Sequence, residues 1–336
     1  MRVGFNPNKD KEIVKSDYFH QIIMPVYIPN QEGYFQDSFK ILTMSLESLF
    51  KTCHSKTYLS IVDNGSCSEV SSYLNTLKIE GKIHELIQTS NIGKLNAIFK
   101  ALSGHQFALI TITDSDVLFK NGWQSGTYQV FENFPKAGAV SPVPSSKMYK
   151  YYTENIITSN FFSDKLKFTD VVSPEGMKAF ASSIGNREFY NNVHLSKYLT
   201  IESSKIKAVV GAGHFVCTYR AEVFVDRNMN FSIYSLGGDS EGRFLDKSVL
   251  QKDLWRLSTT DNYAFHMGNV FEDWMTRTFK EISLESLHFD ALGLLKIKNR
   301  KFTPLTKIFA KLFANKIFRN IFLKYKGLTA EQATIY

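Results

Sequence analysis

The sequence predicts an α/β fold with a mostly parallel central sheet flanked by helices. Three observations carry that prediction. Strand-like runs alternate with helix-period segments four times within about 100 residues, the pattern of a parallel sheet. Each of those strands ends in polar or Gly residues, and in a parallel sheet such ends converge on one edge, where ligands bind. The apolar run Phe107 to Thr113 ends abruptly in Asp114-Ser115-Asp116. Two carboxylates so close repel unless a cation lies beside them. Hard divalent cations prefer such oxygen ligands and often add substrate phosphates.

In chain order, residues 1–19 form a polar lead-in. His20 to Asn30 reads as a first strand, stopped by Pro25, which has no N–H for a ladder. Phe39 to Phe50 spaces Ile41, Leu42, Met44, Leu46, Leu49 and Phe50 as a helix does. Tyr58 to Val62 is a second strand, ending in Asp63-Asn64-Gly65-Ser66. Asn-Gly commonly makes a hairpin, but Ser68 to Leu77 looks helical, so a strand-to-helix turn fits better. A third strand lies near Ile83 to Gln88, and Asn91-Ile92-Gly93-Lys94 enters a helix over Ala97 to Leu102.

After Phe119 the pattern changes. Ala137 to Pro144 is a short strand ended by prolines. Ser145 to Lys207 is polar, aromatic-rich and weakly patterned, read as loops and short helices with room for a mobile lid. Ile206 to Arg220 reads as strand, Gly-rich bend and strand, with a helix starting at Ala221. Gly237-Gly238-Asp239-Ser240-Glu241 is a glycine turn into an acidic helix start, with Ser240 as N-cap. Tyr263 to Asn269 is a late strand bearing His266.

The bulk numbers bound the class. A chain of 336 residues, 43% hydrophobic and 14% aromatic, can bury a large core. Cys53, Cys67 and Cys217 are an odd, scattered set, which suggests no disulfide framework and a reducing, intracellular setting. Met1 to Lys15 lacks the apolar core of a signal peptide. No run of about 18 apolar residues is present, so no membrane span is expected. The net charge of +8 is uneven: Ala291 to Ala330 holds ten Lys or Arg and no acid. The remaining chain is near neutral, which argues against a nucleic-acid partner and for a specialised tail.

Four motifs in order now support a resemblance: Met24-Pro25-Val26-Tyr27, Asp63-Asn64-Gly65-Ser66, Asn91-Ile92-Gly93 with Lys94 and Asn96, and Asp114-Ser115-Asp116. Their order and spacing resemble those of family 2 glycosyltransferases, from about Gln21 to Asn269. That resemblance implies a GT-A fold, Rossmann-like, and sugar transfer from a nucleotide-diphosphate donor. Pro25 to Tyr27 would line the nucleotide pocket, Asp63 would face the base, and Asn91 and Lys94 would lie near ribose and diphosphate. Asp114, Ser115 and Asp116 match the nucleotide-sugar and metal motif, with Asp116 the direct ligand of Mn²⁺ or Mg²⁺ and His266 completing the site. Gly213 and His214 would sit under the acceptor, a saccharide or a lipid-linked sugar. The turn with Asp239 and Glu241 resembles the catalytic-base motif, but the usual adjacent Glu-Asp is Asp-Ser-Glu here. Either residue therefore stands as the base. The reaction would be an inverting single displacement, serving cell-surface polysaccharide synthesis.

The resemblance divides the chain into a lead-in (1–19), a nucleotide-sugar-binding half (20–119), an acceptor-binding and catalytic half (120–282) and a basic, amphipathic helical tail (283–336). Within the tail, Phe302 to Leu328 interleaves lysines with aromatic and aliphatic residues. Such a helix suits an anionic membrane surface, placing the protein in the cytoplasm against the inner face of the membrane. On a helical wheel Lys324 falls among Phe313, Ile317 and Ile321, so part of the apolar surface could pack on the body or on a second subunit of a homodimer. A sugar-phosphate nucleotidyltransferase is the enzymatic alternative, though its Gly-rich basic loop after the first strand is replaced by Pro25 and Pro29. A non-catalytic nucleotide-sugar-binding or membrane scaffold protein is the other.

Overall fold

The structure is a computed structural model that describes residues 4–12, 16–225, 231–286, 294, 308 and 311–336. Twelve strands are described: β1 (His20–Val26), β2 (Thr57–Asp63), β3 (Glu85–Gln88), β4 (Leu109–Thr113), β5 (Val117–Phe119), β6 (Ala137–Ser141), β7 (Leu166–Asp170), β8 (Lys197–Glu202), β9 (Lys207–Val210), β10 (Val216–Arg220), β11 (Trp255–Ser258) and β12 (Ala264–His266). Ten form one sheet in the order β3-β2-β1-β4-β10-β6-β11-β9-β8-β7, and β12 pairs with β5 separately.

The first four strands are parallel throughout, as their alternation with helices requires. Helices Ser38–Thr52, Ser68–Ile79 and Lys94–Ala101 make the crossovers. The first puts Leu42, Leu46 and Leu49 against the sheet and Ile41 against Leu118 and Met275, and the second packs Val70, Leu74 and Leu77 on the sheet. Because β1 lies between β2 and β4, successive crossovers leave it in opposite directions. The carboxyl ends of β1 and β4 therefore flank a switch point, the crevice where such sheets bind ligands.

Pro25 does not stop β1. It pairs with Val62 on one side, while on the other the β1–β4 pairing has already ended at Ile23 and Ile112. A residue without an N–H is tolerated where the ladder on that side is finished.

Beyond Phe119 the sheet turns mixed. Helix Trp123–Asn133, which the sequence pattern did not signal, covers it with Tyr128, Val130 and Phe131. Strand β10 runs antiparallel between β4 and β6, and β6 is parallel to β11. The weakly patterned stretch from Ser145 to Lys207 is built into the sheet. It holds helices Glu154–Ser159, Pro174–Ser183 and Asn192–Ser196, and its strands extend the sheet, β8 antiparallel to β9 and β7 antiparallel to β8. β9 and β10, expected as neighbours around a bend, sit apart: β9 pairs β11, and Gly211 between them takes φ +102° against the backbone of Met148.

A polar network is buried beneath helix Trp123–Asn133. His20 contacts Tyr128 Oη at 2.5 Å and Thr111 Oγ1 at 2.6 Å, and His54 contacts the same Tyr128 hydroxyl at 2.8 Å.

Among the described residues no helix is long and apolar enough to cross a membrane. The tail expected at 283–336 is helical over Lys316–Tyr325 and Ala330–Ile335. Phe302 and Lys307 lie outside the described residues. Phe313, Phe322, Leu323, Leu328 and Tyr336 join the core cluster that also contains Leu199 and Leu257. Lys326 is buried, with its ammonium donating to the carbonyls of Asn160 and Ser163. Among the described residues, one face of the tail therefore packs on the body.

Candidate functional site

At the carboxyl edge of β1, β2 and β4 lies a cavity of about 440 Å³. Pro25, Tyr27, Asn91, Lys94, Asp114, Ser115 and Asp116 line it, joined by Asn64, Tyr34, Phe35 and Leu236. Seven residues named from the ends of three strands, β1, β3 and β4, thus face one space, as convergence of parallel strands demands. Tyr27 is 40% exposed and meets Phe35 edge-on at 6.0 Å.

Asp63 departs from its expected place. It is buried, and its carboxylate accepts from Ser66 N at 2.9 Å and from the Ser71 hydroxyl. Those bonds tie the turn to the following helix and aim the carboxylate inward. Asn64 lines the cavity instead, and its Oδ1 accepts from Ile92 N at 3.0 Å. Asn91 Oδ1 accepts from Gly93 N at 3.0 Å. The two asparagines brace the loop that presents Lys94.

Lys94 begins its helix because Gly93 takes φ +86°, a turn that L-residues rarely make. Its ammonium lies 2.5 Å from Asp114 Oδ1 and 2.6 Å from Glu241 Oε1. Burial disfavours that charge, but the two carboxylates outweigh burial and raise the Lys94 pKa. For Glu241 the order is similar: burial pushes its pKa up, and Lys94 more than reverses it, so the carboxylate stays ionised. Asp239 sits elsewhere in the turn, at φ +55°, with its carboxylate over Gly242.

Asp116 and His266 meet because β12 pairs antiparallel with β5, setting His266 opposite Val117. Met267 N donates to Asp116 O at 2.8 Å and secures that register. His266 Nε2 lies 3.3 Å from Asp116 Oδ2, while its Nδ1 is held by Ser183 Oγ at 2.9 Å. Burial, reinforced by Asp114 and countered by His266 and Lys94, raises the Asp116 carboxyl to about 6. Single ligand atoms from Asp114, Asp116 and His266 all lie within 4.8 Å of one another. Two carboxylates and an imidazole whose other nitrogen is held by the Ser183 hydroxyl are a donor set that fits a divalent cation.

Gly213 and His214 are not in the cavity wall. His214 Nε2 contacts Asp246 Oδ2 at 2.6 Å, and Arg256 Nη2 reaches the same oxygen at 2.9 Å. Asp246 lies on a π-helical turn, Gly242–Asp246, that leads into helix Lys247–Gln251. Such turns recur at functional sites. His214 is also close enough to Glu241 to help lower its pKa. The ionisable groups therefore run Asp114, Lys94, Glu241 and then His214, Asp246, Arg256. Ser183, Asp246 and Arg256 carried no sequence signal, since each acts through a partner far away in the chain.

No protein-family model matches the chain, and no curated protein sequence matches it. Among solved structures it is similar to Staphylococcus aureus TarS residues 1–349 at 16% identity and TM-score 0.42, covering 73% of this chain and 59% of that one. It is also similar to the mannosyltransferase PcManGT of Pyrobaculum calidifontis in complex with GDP-Man and Mn²⁺, at 14% identity and TM-score 0.42, covering 75% and 59%. The chain thus spans about 59% of the length of these neighbours, and likeness at this level identifies neither substrate nor activity.

Proposed function

We propose that this protein is a glycosyltransferase that moves a sugar from a nucleoside-diphosphate donor to a saccharide or lipid-linked acceptor. One observation carries this reading. A single crevice at the carboxyl edge of the parallel strands combines aromatic side chains, a half-buried lysine and the Asp114–Asp116–His266 ligand set. Aromatic faces suit a nucleobase, and the polar end suits a diphosphate.

Asp114, Asp116 and His266 would hold the divalent cation, Mn²⁺ or Mg²⁺. When bound, that cation supplies Lewis acidity toward the diphosphate. Lys94, kept charged by its two carboxylates, places fixed positive charge beside the same group. The acceptor hydroxyl must lose its proton as its oxygen bonds to the anomeric carbon. Of Asp239 and Glu241 we favour Glu241 as base, because it is joined to the cavity through Lys94 and held ionised. A single displacement, with the diphosphate leaving from the opposite face, inverts configuration. The basic tail brings the protein to a membrane, which suits a glycolipid or surface-polysaccharide acceptor.

A thermal-shift screen of nucleoside diphosphates with and without Mn²⁺ tests the reading. We expect one nucleotide to raise Tm, more so with Mn²⁺, and Asp116→Asn to abolish the metal-dependent part. A flat response to every nucleotide would overturn it.

A further inference from the structure

Helix Lys316–Tyr325 has two apolar faces. One is spent on the body through Phe322 and Leu323. The other is not: Ile317, Ile321 and Tyr325 are 72%, 59% and 54% exposed. At four-residue spacing these form one stripe. The body extends it. Phe161 stacks on Tyr325 with centroids 5.6 Å apart, and Phe162, which meets Phe161 edge-on, is 85% exposed. Lys326, donating to the carbonyls of Asn160 and Ser163, straps that loop to the tail.

We propose that Phe162, Ile317, Ile321 and Tyr325, with Lys316 and Lys324, form one docking surface for an anionic lipid bilayer. The helix would lie in the plane of the headgroups. Lys316 and Lys324 are exposed, and helical geometry puts Lys324 beside Ile317 and Ile321. Lysine stems lie along apolar surface while their charges reach the headgroups. Lys311, Lys316 and Lys324 are exposed and residues 311–330 hold no acid, so two copies meeting through this face would set like charges together. The acid nearest in sequence to Phe162 is Asp164, and it acts on Lys326. A bilayer accepts an apolar ridge without a matching pocket, which a folded acidic partner would need.

This surface deepens the membrane placement proposed above and is independent of sugar transfer. The test is co-sedimentation of the full chain with vesicles of phosphatidylcholine alone or mixed with phosphatidylglycerol. We expect binding to the mixed vesicles only, weakened by salt. Ile317→Ser with Ile321→Ser should weaken it at least about tenfold, and so should Lys316→Glu with Lys324→Glu. All four side chains are exposed, so far-UV circular dichroism and Tm should stay as in the parent protein. Undiminished binding by the double serine variant would overturn the surface, and no binding by the parent would overturn the membrane placement with it. A dimer in sedimentation velocity that the serine variant abolishes, without lipid binding, would assign the face to a second copy instead. The nucleotide thermal shift, measured without vesicles, reads the sugar-transfer site separately.

Discussion

Lys94 is where the cavity and the acidic turn become one unit, because a single ammonium bridges Asp114 and Glu241. Replacing it by Met would leave two partly buried carboxylates facing each other without their cation. Lys94→Met should slow nucleoside-diphosphate release from a cognate donor by roughly 10²- to 10³-fold, the usual size for loss of a preorganised electrostatic group. Unchanged turnover would reduce Lys94 to a structural ion pair. Asp246 belongs to a different balance. Both it and Arg256 are 1% exposed, so removing the carboxylate strands a buried guanidinium. Asp246→Ala should lower unfolding free energy by about 3–5 kcal/mol in urea titration. At this scale the sequence pointed well to the lining residues and poorly to Asp63. Its carboxylate is consumed by Ser66 and Ser71 within the turn, a local hydrogen-bonding choice that residue type alone leaves open.

The elements fall into two groups by how they could be read. The first three crossover helices and β1 to β4 repeat one pattern with clear periods, and the structure places them within a few residues of their expected bounds. β7 was hidden because its inward residues alternate only briefly, β8 because polar Thr200 lies within its buried run, and helix Trp123–Asn133 because polar Gln124 and Thr127 are among its buried residues. The loop before Lys94 shows what an element costs to build. A Cβ on Gly93 would stand 2.9 Å from Tyr234 O, at a backbone angle of φ +86°. Gly93→Ala should therefore destabilise the fold by about 1–3 kcal/mol and loosen the 234–236 segment that carries Leu236 into the cavity. Thermal unfolding measures the first effect, and weakened nucleotide binding at a temperature well below Tm measures the second.

For the whole molecule, buried imidazoles set the acid limit. Burial lowers His54 and His194 to about 4 from an ordinary 6.5, and burial with the neighbouring His54 lowers His20 well below it. Each folded pKa is depressed, so for each the unfolded chain takes up protons first as pH falls. Stability is then complete above about 6.5 and is lost through the window down to about 4, by at most about 1.4 kcal/mol per pH unit per histidine. Asp116, raised to about 6, works in the opposite direction and offsets part of this. The urea midpoint should drop clearly between pH 7.5 and pH 5. A midpoint that does not move would mean these rings are not buried as neutral groups.

The sequence by itself determined the α/β class, the parallel first half, and the convergence of Pro25, Tyr27, Asn91, Lys94, Asp114 and Asp116. Those follow from local periods and from the rule that parallel strands share one ligand-binding edge. Only the tertiary structure decided that Ser183 holds His266, that Lys94 spans to Glu241, and that one face of helix Lys316–Tyr325 is spent on the body. His266 meets Ser183 across 83 positions and Lys94 meets Glu241 across 147. Contacts at such separations come from strand order and register, which no local period encodes.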